Sequence, residues 1–255
     1  MGSVFGGRPT VVGHRGSGRT REGGLAENTR ESLLAGVESG LRWVEFDVRR
    51  TADDHLVIRH FPTWEDGSFI AHVDLSGARK VGAVTLDELL EDLPGHVGVN
   101  LDVKTSLEDA VRPPGRTTAA ILAPVAAELS RERPVLVSAF DASAMLQLAE
   151  AAPEVPRSYL TWVTFPLRMA IPAAKHLGAA VVAPHWTSFG PNRDDRAPVF
   201  AGPTEAIALA HEAGLEVMPW CPHVEHAREL LGAGADAVVV DDVGLALREL
   251  SGVAD

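Results

Sequence analysis

Glu45-Phe46-Asp47 sets two carboxylates two residues apart within the run Trp43–Val48, whose apolar and β-branched residues predict a buried strand. Residues i and i+2 of a strand share a face, so both acids project together while Phe46 points into the apolar layer. Carboxylates this close repel unless a cation or a shared proton relieves them. A pair of surface acids is the plainer reading, but the apolar flanks argue against it. Asp102-Val103-Lys104 repeats the spacing at the end of the run Val97–Lys104 and brings a third acid and a cation to the same rim. Alone this would pass for an ordinary Asp–Lys pair; beside Glu45 and Asp47 the functional reading gains. Two histidines, His14 and His60, end strand-like runs at the same mouth, and an imidazole with a pKa of about 6.5 transfers protons in either direction near neutrality. A lone histidine is more often structural than catalytic, but two beside three acids are harder to dismiss. His185, next to Trp186, is the other histidine expected at the rim. Three carboxylates, one cysteine (Cys221) and no paired-histidine motif suit a hard divalent cation, Mg2+ or Ca2+. Neither a phosphate-binding loop, a dinucleotide fingerprint nor a Gly-x-Ser-x-Gly elbow is present.

The elements that must hold these residues alternate. Strand candidates run over Thr10–His14, Trp43–Val48, Val97–Lys104, Val135–Phe140, Arg157–Leu160, Ala179–Pro184, Leu215–Trp220 and Asp236–Asp241, mostly apolar or β-branched runs as expected for strands covered on both faces. Asn28-Thr29-Arg30-Glu31 and Thr85-Leu86-Asp87-Glu88 have capping-box spacing and open helical stripes. Gly40, Gly178, Gly214 and Gly234 each end a helix tail just before a strand. Eight such strands with helices between them argue for a (β/α)8 TIM barrel. Leu56–His60 breaks the pattern, because Thr51–His55 is too short for a parallel crossover; it must return as an antiparallel hairpin strand that brings His60 opposite Phe46 and Asp47. Residues 61 to about 82 then form a short insertion carrying Trp64, Phe69 and Ile70, and no linker divides the 255 residues, which read as one domain.

Composition narrows the partners. A net charge of −12 disfavours nucleic acid or an anionic membrane surface, and 45% hydrophobic residues exclude general disorder. Without a visible signal peptide or membrane-spanning stretch, the expectation is a soluble, cytoplasmic protein with a small-molecule substrate and no stable membrane insertion.

HRG at His14–Gly16, AENT at Ala26–Thr29, EFDVRRTADDHLVIRH at Glu45–His60 and NLDVK at Asn100–Lys104 together resemble the glycerophosphodiester phosphodiesterase family. VSAFD at Val137–Asp141, the strand ending in Trp220 and ADAVVVDD at Ala235–Asp242 follow in the expected order. The resemblance implies a barrel with a small insertion after the hairpin and metal-dependent cleavage of phosphodiesters to a glycerol phosphate and an alcohol. By motif it makes Glu45, Asp47 and Asp102 the metal ligands, His14 and His60 the acid–base pair, Arg15 and Lys104 the phosphate-holding residues, and Trp220 the aromatic on the glycerol side. His14 is taken as base and His60 as acid, with the reverse left open. Ala26 stands where the family commonly has proline, Phe61 where an acid follows the second histidine, and Asp102 where a glutamate is usual. The alternatives are a lysophospholipase D-like activity on lysophospholipids and a non-catalytic phosphodiester-binding barrel.

Overall fold

The computed structural model describes residues 2–19, 24–190 and 202–250. Its strands are β1 (Thr10–Gly13), β2 (Trp43–Arg50), β3 (Leu56–Ile58), β4 (Gly98–Val103), β5 (Val135–Ala139), β6 (Arg157–Thr161), β7 (Val181–Pro184), β8 (Glu216–Val217) and β9 (Ala237–Val240). They pair in the order β8-β7-β6-β5-β4-β2-β1-β9, all parallel, with β3 antiparallel on β2. Parallel bridges of Trp220 with both His185 and Val239 bring the two ends of this order together, giving a (β/α)8 barrel. β8 is shorter than the run Leu215–Trp220 because Pro219 has no N–H to donate to a ladder. The helices between strands include Arg30–Glu38, Thr118–Leu129, Ala142–Ala151, Leu167–His176, Pro203–Glu212 and Val224–Gly232, and Val243–Leu250 follows the last strand.

Two apolar layers follow from strand alternation. Val44, Phe46, Val48, Val99 and Leu101 belong to the large cluster packed between sheet and helices. Val12, Trp43, Leu136, Leu160, Val181 and Met218 fill the barrel interior, where Phe5 meets Trp43 edge-on with centroids 5.3 Å apart. The four glycines expected to end helices all have positive φ (Gly40 107°, Gly178 67°, Gly214 78°, Gly234 108°). Thr85 heads a capping box with Glu88, as its spacing predicts. At the first helix the cap is Thr29 rather than Asn28, its side chain accepting from Ser32 N–H. Asn28 is turned away by a positive φ and serves the site instead.

In the insertion, Trp64 and Ile70 are buried with Val57, Ala78 and Ala83 in a satellite cluster, while Phe69 stays exposed. No helix among the described residues is long and apolar enough to cross a membrane.

Candidate active site

β2 and β4 pair in register as Trp43↔Gly98, Glu45↔Asn100 and Asp47↔Asp102. With Phe46 in the outer layer, Trp43, Glu45 and Asp47 face the barrel interior, each beside its β4 partner. A Cβ on Gly98 would come within 2.5 Å of the Trp43 ring, so glycine is what lets the indole lie flat against β4 and floor the barrel. Above that floor Asn100 Oδ1 accepts from Ser138 Oγ at 2.6 Å, and the acids stand at the carboxyl ends of the strands.

Glu45, Asp47 and Asp102 are all buried, and one oxygen from each lies within 4.8 Å of the others. Burial raises the Glu45 pKa well above the usual carboxylate range, and the neighbouring charges of Asp47 and Asp102 raise it further. Asp102 is raised mainly by burial, against the lowering effect of Lys104. Asp102 Oδ1 is buried without a hydrogen-bond partner. An oxygen-only donor set, mutual repulsion and an orphaned buried acceptor fit a hard divalent cation.

Asp47 differs because it is already surrounded. Burial would raise its pKa, but the hydrogen bond from His60 and the charges of Lys104 and Arg15 hold it far below the usual range. Lys104 Nζ is 2.9 Å from Asp47 Oδ1 and also pairs with Asp102. Asn28 clamps the same residue twice: its Nδ2 donates to Asp47 Oδ2 at 2.7 Å, and its Oδ1 accepts from Asp47 N–H at 3.1 Å. Arg15 Nε lies 3.2 Å from Asp47 Oδ2 but is not aligned as a donor, so that contact is electrostatic.

Backbone strain gathers here. Arg15 (φ 52°), Asn28 (φ 58°) and Cys221 (φ 52°) adopt left-handed conformations, which cost about 1–3 kcal/mol each for residues with a Cβ. Compensating bonds hold them: Arg15 N–H to Glu45 Oε2 at 2.9 Å, Asn28 N–H to Arg15 O at 3.0 Å, and Cys221 N–H to Val239 O at 2.8 Å.

The two histidines flank the carboxylates. His14 Nδ1 meets Asp241 Oδ1 at 2.5 Å, with Cys221 Sγ 3.5 Å away, and its Nε2 lies 3.8 Å from Glu45 Oε2. With Asp241 accepting the Nδ1 proton, the lone pair of a neutral ring is on Nε2. Burial, then the charge of Asp241, pushes the Cys221 thiol up, so it stays protonated. His60 Nδ1 has partners of opposite kind, the donor Arg15 Nη2 at 2.9 Å and the acceptor Asp47 Oδ1 at 3.3 Å. With its proton on Nε2 alone the ring accepts from arginine, whereas with Nδ1 protonated it donates to aspartate. Arg49 fixes the backbone of this residue by donating Nε–H to His60 O at 3.0 Å.

Seven of the eight residues singled out in the sequence line one cavity of about 650 Å³: His14, Arg15, Glu45, His60, Asp102, Lys104 and Trp220. Asp47, the eighth, bonds to residues that line it. His185 reaches the rim as expected, its ring 4.4 Å from that of Trp220. Trp220 donates Nε1–H to Thr161 O at 3.2 Å. Sequence reasoning missed Asn28, assigned to a helix cap, and Asp241, whose place at the end of a strand run was the available signal. It also missed Asn100 and Arg49, each two residues from a residue it had singled out.

Residues 14–245 match the glycerophosphoryl diester phosphodiesterase family. A 62-residue segment is 44% identical to a glycerophosphocholine phosphodiesterase of Candida albicans; the match covers 22% of this chain and only 5% of that relative. Among solved structures, a phosphodiesterase of Oleispira antarctica in complex with the product sn-glycerol-3-phosphate superposes with a TM-score of 0.74 at 24% identity, covering 98% of this chain and 100% of that one. A glycerophosphodiester phosphodiesterase of Parabacteroides distasonis gives 0.74 at 19% identity, covering 97% and 99%. At these identities the structural likeness shows the fold.

Proposed function

Because the chain belongs to the glycerophosphoryl diester phosphodiesterase family, we propose that it hydrolyses glycerophosphodiesters to a glycerol phosphate and an alcohol in the cavity described above. The observation that carries this reading is the flanking of three buried carboxylates by two histidines, one against Glu45 and the other against Asp47.

Glu45, Asp47 and Asp102 would hold a divalent cation, Mg2+ or Ca2+, which when bound polarises a phosphoryl oxygen. The side chains around them supply the rest. Arg15 and Lys104 orient the phosphate and offset the charge that grows on it in the transition state, a need sharpened by the −12 net charge of the chain. His14, with Nδ1–H tied to Asp241, offers Nε2 as the base that takes a proton from the attacking water or glycerol hydroxyl. His60, cationic and donating to Asp47, gives its Nε2 proton to the leaving alkoxide. When it has done so the ring keeps Nδ1–H on Asp47, and its lone pair lies on Nε2, facing the alkoxide just protonated. Trp220 walls the glycerol side.

Incubation of glycerophosphocholine with the protein and Mg2+ or Ca2+, followed by 31P NMR, tests this. Glycerol phosphate should accumulate, and a chelator should stop it. His14→Ala and His60→Ala should each lower kcat by about 10²–10⁴. Binding of metal and diester with no product after long incubation would overturn the assignment and leave a non-catalytic phosphodiester-binding barrel.

A further inference from the structure

Cys221 is the one cysteine of the chain, and it stands with His14 and Asp241. His14 Nδ1, Cys221 Sγ and one Asp241 oxygen all lie within 4.8 Å of one another. Sγ is 3.5 Å from His14 Nδ1, the carboxylate is 2.5 Å from the same nitrogen, and the thiol also donates to Asp241. All three residues are half-buried and line the cavity, so an ion has a path to them from solvent. Elsewhere Phe61, Phe140 and Trp162 wall the same cavity with aromatic carbon.

Backbone bonds fix where the three side chains stand. His14 and Asp241 follow β1 and β9, and His14 N–H donates to Val240 O at 3.1 Å. Cys221 N–H donates to Val239 O at 2.8 Å. Val239 and Asp241, two residues apart, both line the cavity, so the bond that holds Cys221 also sets its side chain beside that of Asp241.

Sulfur, imidazole nitrogen and carboxylate oxygen form a donor set different in kind from Glu45, Asp47 and Asp102. Three oxygens suit Mg2+ or Ca2+, whereas a thiolate with an imidazole favours Zn2+. Zinc takes three protein ligands and a water in a tetrahedron, with bonds of about 2.0–2.3 Å that set the ligand atoms roughly 3.3–3.7 Å apart. Sulfur and nitrogen already stand at that spacing. Asp241 need only draw back by ~1 Å as its hydrogen bond to Nδ1 gives way to the ion. The fourth corner is left to water from the cavity.

We propose that His14, Cys221 and Asp241 form a second cation site, selective for a thiophilic divalent ion such as Zn2+, and that filling it silences His14. A coordinated thiol is deprotonated, and its proton goes to solvent. The ion also takes Nδ1, so the proton of the ring moves to Nε2. One thiolate and one carboxylate then balance the two charges of the ion. With Nε2 protonated, His14 has no lone pair to offer the attacking oxygen. The site stands on its own geometry; its effect on turnover rests on the phosphodiesterase reading above.

Cobalt(II) tests the site, because a sulfur-to-cobalt charge-transfer band in the near ultraviolet has Cys221 as its sole source of sulfur ligand. With Mg2+ in excess, Co2+ should develop that band to saturation at one equivalent, and Zn2+ should bleach it. Cys221→Ser should abolish the band and weaken Zn2+ binding by at least the ~10–100-fold that loss of a partner behind a ligand costs. Asp102→Asn, which alters the other site, should keep the band. No band in the unaltered protein, or equal Zn2+ affinity in Cys221→Ser, would overturn the site. In a glycerophosphocholine assay with Mg2+ saturating, Zn2+ should lower kcat. Measured against its own zinc-free rate, Cys221→Ser should lose less. Full turnover with the band saturated would overturn the silencing of His14. A protein that hydrolyses no diester would overturn the phosphodiesterase reading, while the band still decides the site.

Discussion

His14 Nδ1 and Asp241 Oδ1 lie 2.5 Å apart although 227 residues separate them in the chain. They follow β1 and β9, which pair from Thr10↔Ala237 to Gly13↔Val240, so the contact exists only because the barrel brings its first and last strands together. An aspartate in this place fixes the imidazole tautomer and, in the mechanism proposed above, would steady the imidazolium formed when Nε2 takes a proton. Asp241→Asn keeps the shape and loses the charge. It should lower kcat by about 10²–10⁴ with little change in KM, and Asp241→Glu should recover part of the loss. A variant altered only in KM, or only in thermal stability, would remove this role.

Asn28 holds Asp47 through both its amide nitrogen and its amide oxygen. Asn28→Ala removes both bonds and also puts a less tolerant residue at a positive φ. Activity should fall about 10–100-fold, the usual effect of removing a partner that orients a metal-binding carboxylate. An unchanged kcat/KM would show that Lys104 and Arg15 suffice to orient Asp47.

The carboxylates should make stability, and the proposed cation binding, depend on pH. Glu45 and Asp102, raised mainly by burial, hold protons more tightly in the folded protein than in the unfolded chain. Their contribution is therefore complete below the ordinary carboxylate range and is lost as pH rises through their folded-state values. Asp47 has the opposite sign: burial is outweighed by His60, Lys104 and Arg15, so its contribution is present above that range and is lost only in strong acid. Without divalent cation, Tm should fall as pH rises from the acid side toward neutrality. Mg2+ or Ca2+ should raise Tm again, adding about 2.7 kcal/mol of stability at a hundredfold excess over Kd, and more at neutral than at acid pH. Calorimetry giving equal cation-induced shifts at both pH values would contradict this account.

Gly98 permits the Trp43 floor. Gly98→Ala places a Cβ 2.5 Å from the indole carbons in a packed interior, so urea unfolding should show a loss of about 1–3 kcal/mol. Trp43 shares its strand face with Glu45, so activity should fall as well. An unaltered midpoint would mean that the ring has somewhere to move.

Much of the site was legible because its signals are local. The i, i+2 spacing put Glu45 with Asp47 and Asp102 beside Lys104, and the short Thr51–His55 connection forced the hairpin that returns His60. The observed register Val48↔Ile58 continues to Phe46 opposite His60, and Arg59 N–H bonds Asp47 O at 3.0 Å. Asn28 was harder to read: a helix-start residue followed by another capping residue leaves two candidates one position apart, and packing chose Thr29. Trp64, Phe69 and Ile70 looked alike in sequence, yet two are buried and one is exposed, because the insertion had room to cover only part of its apolar set.

Amino-acid order by itself determined the alternation of strands and helices, the pairing of acids on one strand face and the hairpin beside them, since each depends on backbone geometry over a few residues. Tertiary structure alone decided that Asp241 would orient His14, that Asn28 would clamp Asp47, and that Phe61, Phe140 and Trp162 would wall one cavity. Those contacts join residues brought together by barrel closure and by side-chain packing, and neither leaves a periodic trace along the chain.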